Sequence, residues 1–388
     1  MKIGYMFGIC LVCSLLIVAK SQGKSTGVIH YVGSDNANCY PVRFTSIQMA
    51  IDKASPGDWI YVCDGIYKET LHISKTITLI ASAGAVLVPD TIPQNSESLT
   101  TGGSIAAAVY VSSAENVELS GLTIDGGNAG ITGCAPDLVG VYFQNSSGHV
   151  KDLTIKNFRL GPGLASCQSG TGIFVQSGNG GTSTVEINNC VLHDFQKSGI
   201  TANEVGTTVQ IHDNIINGLG LTSGAAQNGI QIGFGARGAI ANNTVSDELW
   251  SPCVSANCSS VGTGILIDAA DGIVVKGNQV SHTQVGIFVN GNQTILDSNL
   301  INDSQVGDGI RIIGDRNFAH HNHIHTSGEA GILVSGTTNK IGQNIITDSP
   351  IGIFQTHPSK DNCILWNAFH AAAIPVQPKS AESVIELL

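Results

Sequence analysis

A short phrase returns along this chain: glycine, an apolar residue, a variable residue, then a second apolar one. It begins at Gly140, Gly172, Gly199, Gly229, Gly264, Gly286, Gly309, Gly331 and Gly352, and the last four intervals are 22, 23, 22 and 21 residues. A strand-like alternation that recurs at a near-constant period of this size predicts a β-solenoid. One such unit has nothing to pack its apolar face against. Stacked units bury a continuous core.

A second column keeps the same register. Midway through each unit stands Asn with an apolar residue two places on: Asn189/Val191, Asn214/Ile216, Asn243/Val245, Asn278/Val280, Asn299/Ile301, Asn322/Ile324, Asn344/Ile346 and Asn367/Phe369. Asn tolerates left-handed backbone, and its amide both donates and accepts, so identical residues can form a ladder along a stack. Composition agrees. Gly is 47 of 388 residues, charged residues are 12% and aromatics 5%, a mixture suited to an all-β chain with many turns. The net charge of −11, with no run of Lys or Arg, argues against nucleic acid as a partner.

Residues 1–23 read as a signal peptide: one early Lys, an apolar run from Ile3 to Ala19, then small polar residues. The remaining chain is expected to be secreted or periplasmic, monomeric and off the membrane. Eight cysteines follow the leader, and export permits disulfides. Cys253 and Cys258 close a short loop and form a good local pair.

From Gly140 to Phe369 the two columns resemble the right-handed parallel β-helix family, the pectate-lyase-like superfold of secreted polysaccharide-active proteins. The segment FTSIQMAIDKASPGDWIYVCDGIYKETLHISKTITLI resembles that family's usual opening, with a short capping helix from Ser46 to Ala54. The resemblance implies an all-β, single-stranded right-handed parallel β-helix with an N-terminal capping helix. Residues 24–388 form its single domain: a cap at about 40–57, coils at about 58–375 and a tail at 376–388. Coils in such a stack lie about 4.8 Å apart. Cys190 and Cys363 are then about six coils apart and out of disulfide reach. Cys134 and Cys167 fall in loops of neighbouring coils, and Cys39 and Cys63 are placed to tie the cap to the first coil.

Four long segments each precede a Gly phrase: Asp125 to Val139, Arg159 to Thr171, Asn217 to Asn228 and Asp247 to Thr263. Long loops on a rigid scaffold are where binding sites are usually built. These are expected to wall a groove on one flank. Alternation places Tyr142, Gln144, Phe174, Gln176, Asn203, Gln231 and Phe288 outward on its floor, with Glu204 beside them. Aromatic faces and amides suit sugar rings, so these eight residues are the substrate-binding candidates. The resemblance implies a lyase or epimerase acting on a uronic-acid-containing glycan, with Ca²⁺ or a basic side chain countering the uronate. Lys197, Arg237, Arg311 and Asp268 are the catalytic candidates. The alternative is a non-catalytic β-helix that binds a glycan or surface partner. The paired-Asp signature of β-helix polygalacturonases and the Asp-Pro-His-Asp signature of alginate epimerases are absent from the sequence. The run HHNHIH at residues 320–325 reads as a ladder Asn and a core Ile flanked by outward histidines, with no metal ligand set assigned. A metal-handling role would rest on His321, His323 and His325.

Overall fold

Each coil visits three sheets in turn. In the computed structural model, Asn228–Gly233 lies in the first sheet, Arg237–Ala241 in the second and Thr244–Trp250 in the third, before the chain returns to the first at Thr263–Asp268. The structure describes residues 27–34, 39, 41–127, 129–254, 258, 260–356, 359–377 and 384–387. The signal-peptide expectation lies outside them. Successive coils pair in parallel throughout; among the described strands the exception is the short antiparallel contact of Ser96–Glu97 with Ile105 and Ser104. The fold is the parallel β-helix that the two columns implied.

The Gly phrase opens each strand of the first sheet because the corner there is tight. A Cβ on Gly264 would collide with Val280 and one on Gly309 with Ile324, core residues of the third sheet. Inward residues of all three sheets, such as Ile230, Ile240 and Val245, are fully buried in one continuous core.

The Asn column forms at the corner between the second and third sheets, with two corrections. Asn214, Asn243, Asn278, Asn299, Asn322, Asn344 and Asn367 are buried, and each of the first six donates its Nδ2 to the next Oδ1 at 2.9–3.0 Å. Asn189 is not a rung. Cys190 occupies that place, its backbone N–H donating to Asn214 Oδ1 at 2.9 Å, and Leu192 rather than Val191 fills the core. The left-handed residue is also not the ladder Asn but the one before it, as at Asp213 (φ 57°), Asn242 (φ 55°) and His321 (φ 54°). A second, shorter ladder of Asn317, Asn339 and Asn362 stands at the corner between the first and second sheets.

The helix Ile47–Lys53 covers the N-terminal end of the core with Ile47, Ala50 and Ile51. Ser46 caps it, and the Glu69 carboxylate accepts the free N–H groups of Ile47 and Gln48 at 2.7 and 3.0 Å, a favourable charge for a helix start. Disulfides join Cys39 to Cys63, Cys134 to Cys167 and Cys253 to Cys258, while Cys190 and Cys363 are free thiols.

Candidate functional site

The four long segments emerge at the corner that leads into the first sheet, and they are sewn together. The Cys134–Cys167 disulfide joins the first to the second. Ala225 N–H donates to Ala165 O at 2.9 Å, joining the second to the third. Ser251 N–H donates to Thr222 O at 2.7 Å and Trp250 Nε1 to Gly224 O at 2.8 Å, joining the third to the fourth. Buried glutamines fix their bases: Gln196 Nε2 donates to three carbonyls, of Leu164, Ala165 and Cys167, and Gln284 Nε2 to those of Trp250 and Cys253. They form one continuous wall.

The floor beside this wall carries the expected aromatics, of which Tyr142 is already covered while Phe174 and Phe288 are half-buried. His72, Tyr110, Tyr142 and Phe174 stack ring on ring, with centroids 5.0, 5.7 and 5.1 Å apart. Tyr142 is fully buried and Gln176 is 2% exposed. What covers them is a segment that the sequence reading passed over, residues 88–103. Its Leu99 N–H donates to Gln176 Oε1 at 3.1 Å, and Gln176 Nε2 donates to Ser98 Oγ and Thr100 Oγ1. Its Glu97 carbonyl accepts from Gln144 Nε2 at 2.7 Å. Its Thr100 hydroxyl donates to Glu204 Oε1 at 2.9 Å. Gln144, Gln176 and Glu204 therefore hold this segment down instead of facing an open groove, and Tyr142 backs Gln176 from beneath. Burial pushes the Tyr142 phenol upward, so it stays a neutral donor to Gln176.

Between the wall and the floor of the first sheet a pocket of about 170 Å³ stays open. Phe174, Lys197, Asn203 and Gln231 line it, four of the residues named from sequence, together with Asp137 and Gln168, which were not. Burial against the wall holds the Lys197 amine below its usual range and pushes the Asp137 carboxyl above its own, although Asp137 keeps one side open to solvent. Lys197 Nζ donates to the carbonyl of Ala226 at 2.7 Å, and among the described ion pairs none joins it to Asp137. Gln231 Nε2 donates to Asn203 Oδ1 at 3.1 Å. The pocket thus presents an aromatic face, three amides, a weakened acid and a weakened base. A larger hollow of about 890 Å³ lies among the wall segments themselves, and Arg159 is its one charged lining residue.

The other candidates stand apart. Arg237 lies in the second sheet, paired to Thr208, and does not face the groove. Arg311 lies in the first sheet but is 8% exposed, with Nε donating to Asp308 at 2.7 Å and the guanidinium 5.5 Å from the Phe288 ring centroid. Asp268 is on the floor two coils beyond Asn203, accepting from Asn290 at 2.7 Å. Calcium takes 6–8 oxygens, and among the described residues no cluster of carboxylates converges to supply them. His323 and His325 project from the third sheet, whereas His320 and His321 sit at its corner with Asp297 of the preceding coil. The sequence assigned no metal ligand set to that segment; coil stacking brings the Asp297 carboxylate to it.

Comparison with known proteins adds the following. A profile of the family described as periplasmic copper-binding protein (NosD) matches residues 251–383, less than half of the chain. No match is found among curated protein sequences. A lacto-N-biosidase of family GH136 from Eubacterium ramulus superposes with a TM-score of 0.63 at 14% identity, covering 89% of this chain and 68% of that one. The surface adhesin PfbA of Streptococcus pneumoniae gives 0.58 at 15% identity, covering 84% and 85%. An exopolygalacturonase from Thermotoga maritima gives 0.51 at 14%, covering 86% and 85%. At these identities the likeness is one of fold. With its stacked parallel sheets, its Asn ladder and these structural neighbours, the chain has the right-handed parallel β-helix fold.

Proposed function

We propose that the protein acts on a polysaccharide containing uronic acid, with one sugar seated in the pocket between the sewn wall and the floor of the first sheet. The observation that carries this reading is the meeting of Phe174, Lys197 and Asp137 in one hollow. A sugar offers an apolar face to Phe174 and hydroxyls or a carboxylate to the amides of Asn203 and Gln231. A lysine held below its usual range is a competent base, and a carboxyl held above its own is a competent acid. In a β-elimination, Lys197 takes the proton from C5, the C4–C5 double bond forms as the C4–O bond breaks, and Asp137 gives its proton to the departing oxygen. Glycoside hydrolysis needs two carboxyl groups across one bond, and Asp137 is the one carboxyl lining this pocket. Three disulfides suit an exported protein. The glycan-active names of two structural neighbours are consistent with a polysaccharide role.

The test is a panel of uronate polymers and neutral glycans, read by absorbance of the new double bond and by solvent deuterium entering at C5. Lys197→Met and Asp137→Asn should each lower turnover about 10²–10⁴-fold without changing the folded spectrum. If neither absorbance nor deuterium appears on any polymer, the catalytic reading fails. Glycan binding that survives in that case, and weakens in Phe174→Ala, would establish the non-catalytic binding protein instead.

A further inference from the structure

We propose that Asp297, His320 and His321 form a binding site for a divalent transition metal such as Zn²⁺, Cu²⁺ or Ni²⁺, separate from the pocket and independent of its proposed chemistry. Two coils build it. Asp297 ends Ile295–Asp297, and His320 ends Phe318–His320 directly alongside it in register. His321 follows in the left-handed turn that precedes ladder residue Asn322. That turn swings its ring back toward His320.

Three potential ligand atoms converge. His320 Nδ1 and His321 Nδ1 are 2.8 Å apart, and they lie 3.3 and 3.6 Å from Asp297 Oδ1. The circle through these three atoms has a radius of about 1.9 Å, just under the ~2.0–2.1 Å at which zinc binds imidazole nitrogen or carboxylate oxygen. An ion slightly out of their plane would therefore reach all three, leaving a position for water. Imidazole with carboxylate suits zinc, copper and nickel rather than calcium.

The supporting contacts fix the ligands without closing the site. The His320 ring stacks on Phe318 with centroids 4.1 Å apart. Lys276 Nζ holds the other Asp297 oxygen at 2.8 Å, and the Ser298 hydroxyl donates to Oδ1 at 2.8 Å. The next coil places Gly342, which has no side chain, beside His320. Without an ion, the two Nδ1 atoms at 2.8 Å must share a proton in a histidine–histidine hydrogen bond. The experiment decides between these occupants.

The full mature protein, stripped with chelator, would be titrated separately with Zn²⁺, Cu²⁺ and Ni²⁺ and then desalted, and retained metal counted. One retained ion per chain and a rise in Tm are expected. With Cu²⁺, electron paramagnetic resonance should show coupling to two nitrogens. Asp297→Asn should weaken binding at least about tenfold, and His320→Ala with His321→Ala should abolish retention and the nitrogen couplings. His323→Gln with His325→Gln should leave both intact. Circular dichroism and metal-free Tm of each variant separate loss of the site from loss of fold. Retention of no ion by the parent protein would overturn the assignment. So would an ion that is kept by the His320/His321 variant and lost from the His323/His325 one.

Discussion

Glu248 stands inside the coil, fully buried, and both its carboxyl oxygens lack a hydrogen-bond partner. Burial, helped by the charge of Asp247, pushes its pKa well above the usual range, so it is most stable as the neutral acid. A group raised in this way contributes stability below the ordinary carboxylate pKa, and the contribution is lost as pH rises. Glu248→Gln should therefore raise Tm at pH 8 and leave it nearly unchanged at pH 4, which thermal unfolding at both pH values would check. The ladder gives a prediction of opposite sign. Asn299→Ala removes the oxygen that accepts from Asn278 N–H and Nδ2, and the amide that donates to Val275 O and Asn322 Oδ1. Each buried group left unpaired costs about 1–3 kcal/mol, and urea unfolding should show a loss of at least that size. The ladder was legible in the sequence because an inward amide repeats at a fixed interval. Its first rung was misread because Asn189 precedes Cys190, and letters alone do not distinguish the left-handed residue from the inward one beside it. Asp137 went unnamed because its role depends on a wall that only the folded loops create.

At the level of loops and strands, the wall was readable and the covering segment was not. Each wall segment lengthens the interval before a Gly phrase, so it stands out against the period. Residues 88–103 precede Ser104–Ser112, where Ala108 takes the place that Gly140 holds in the next coil, and the phrase is not visible there. Gln176 is the polar clasp of this segment. Gln176→Ala should loosen residues 94–103, with faster amide exchange at Leu99 and little change in the ladder coils. Another test belongs to the second sheet, where His212 lies between Glu186 at 3.0 Å and Asp213 at 2.7 Å. Burial draws the His212 pKa down, but the two carboxylates outweigh it, and the net shift is upward. Its contribution to stability is complete below the ordinary histidine pKa of about 6.5 and is lost as pH rises through the folded value. Tm should fall between pH 6 and 8.5, and His212→Gln should flatten that part of the profile.

Across the whole molecule, the coils past Gly264 repeat with little variation, while the pocket belongs to earlier ones. Deleting residues 287–309 joins Gly286 to Ile310 and removes one full turn in register. The shortened chain should keep its β-sheet circular dichroism and unfold cooperatively. Removing residues 287–298 instead would break the register of three sheets at once, and that variant should fail to fold. The Asn corner then works as a standard coupling. Each rung asks of its neighbour only an amide at the same place and an apolar residue two steps on. A front half carrying a pocket can be spliced to any back half that honours the coupling, so length and chemistry in this architecture are free to be inherited separately.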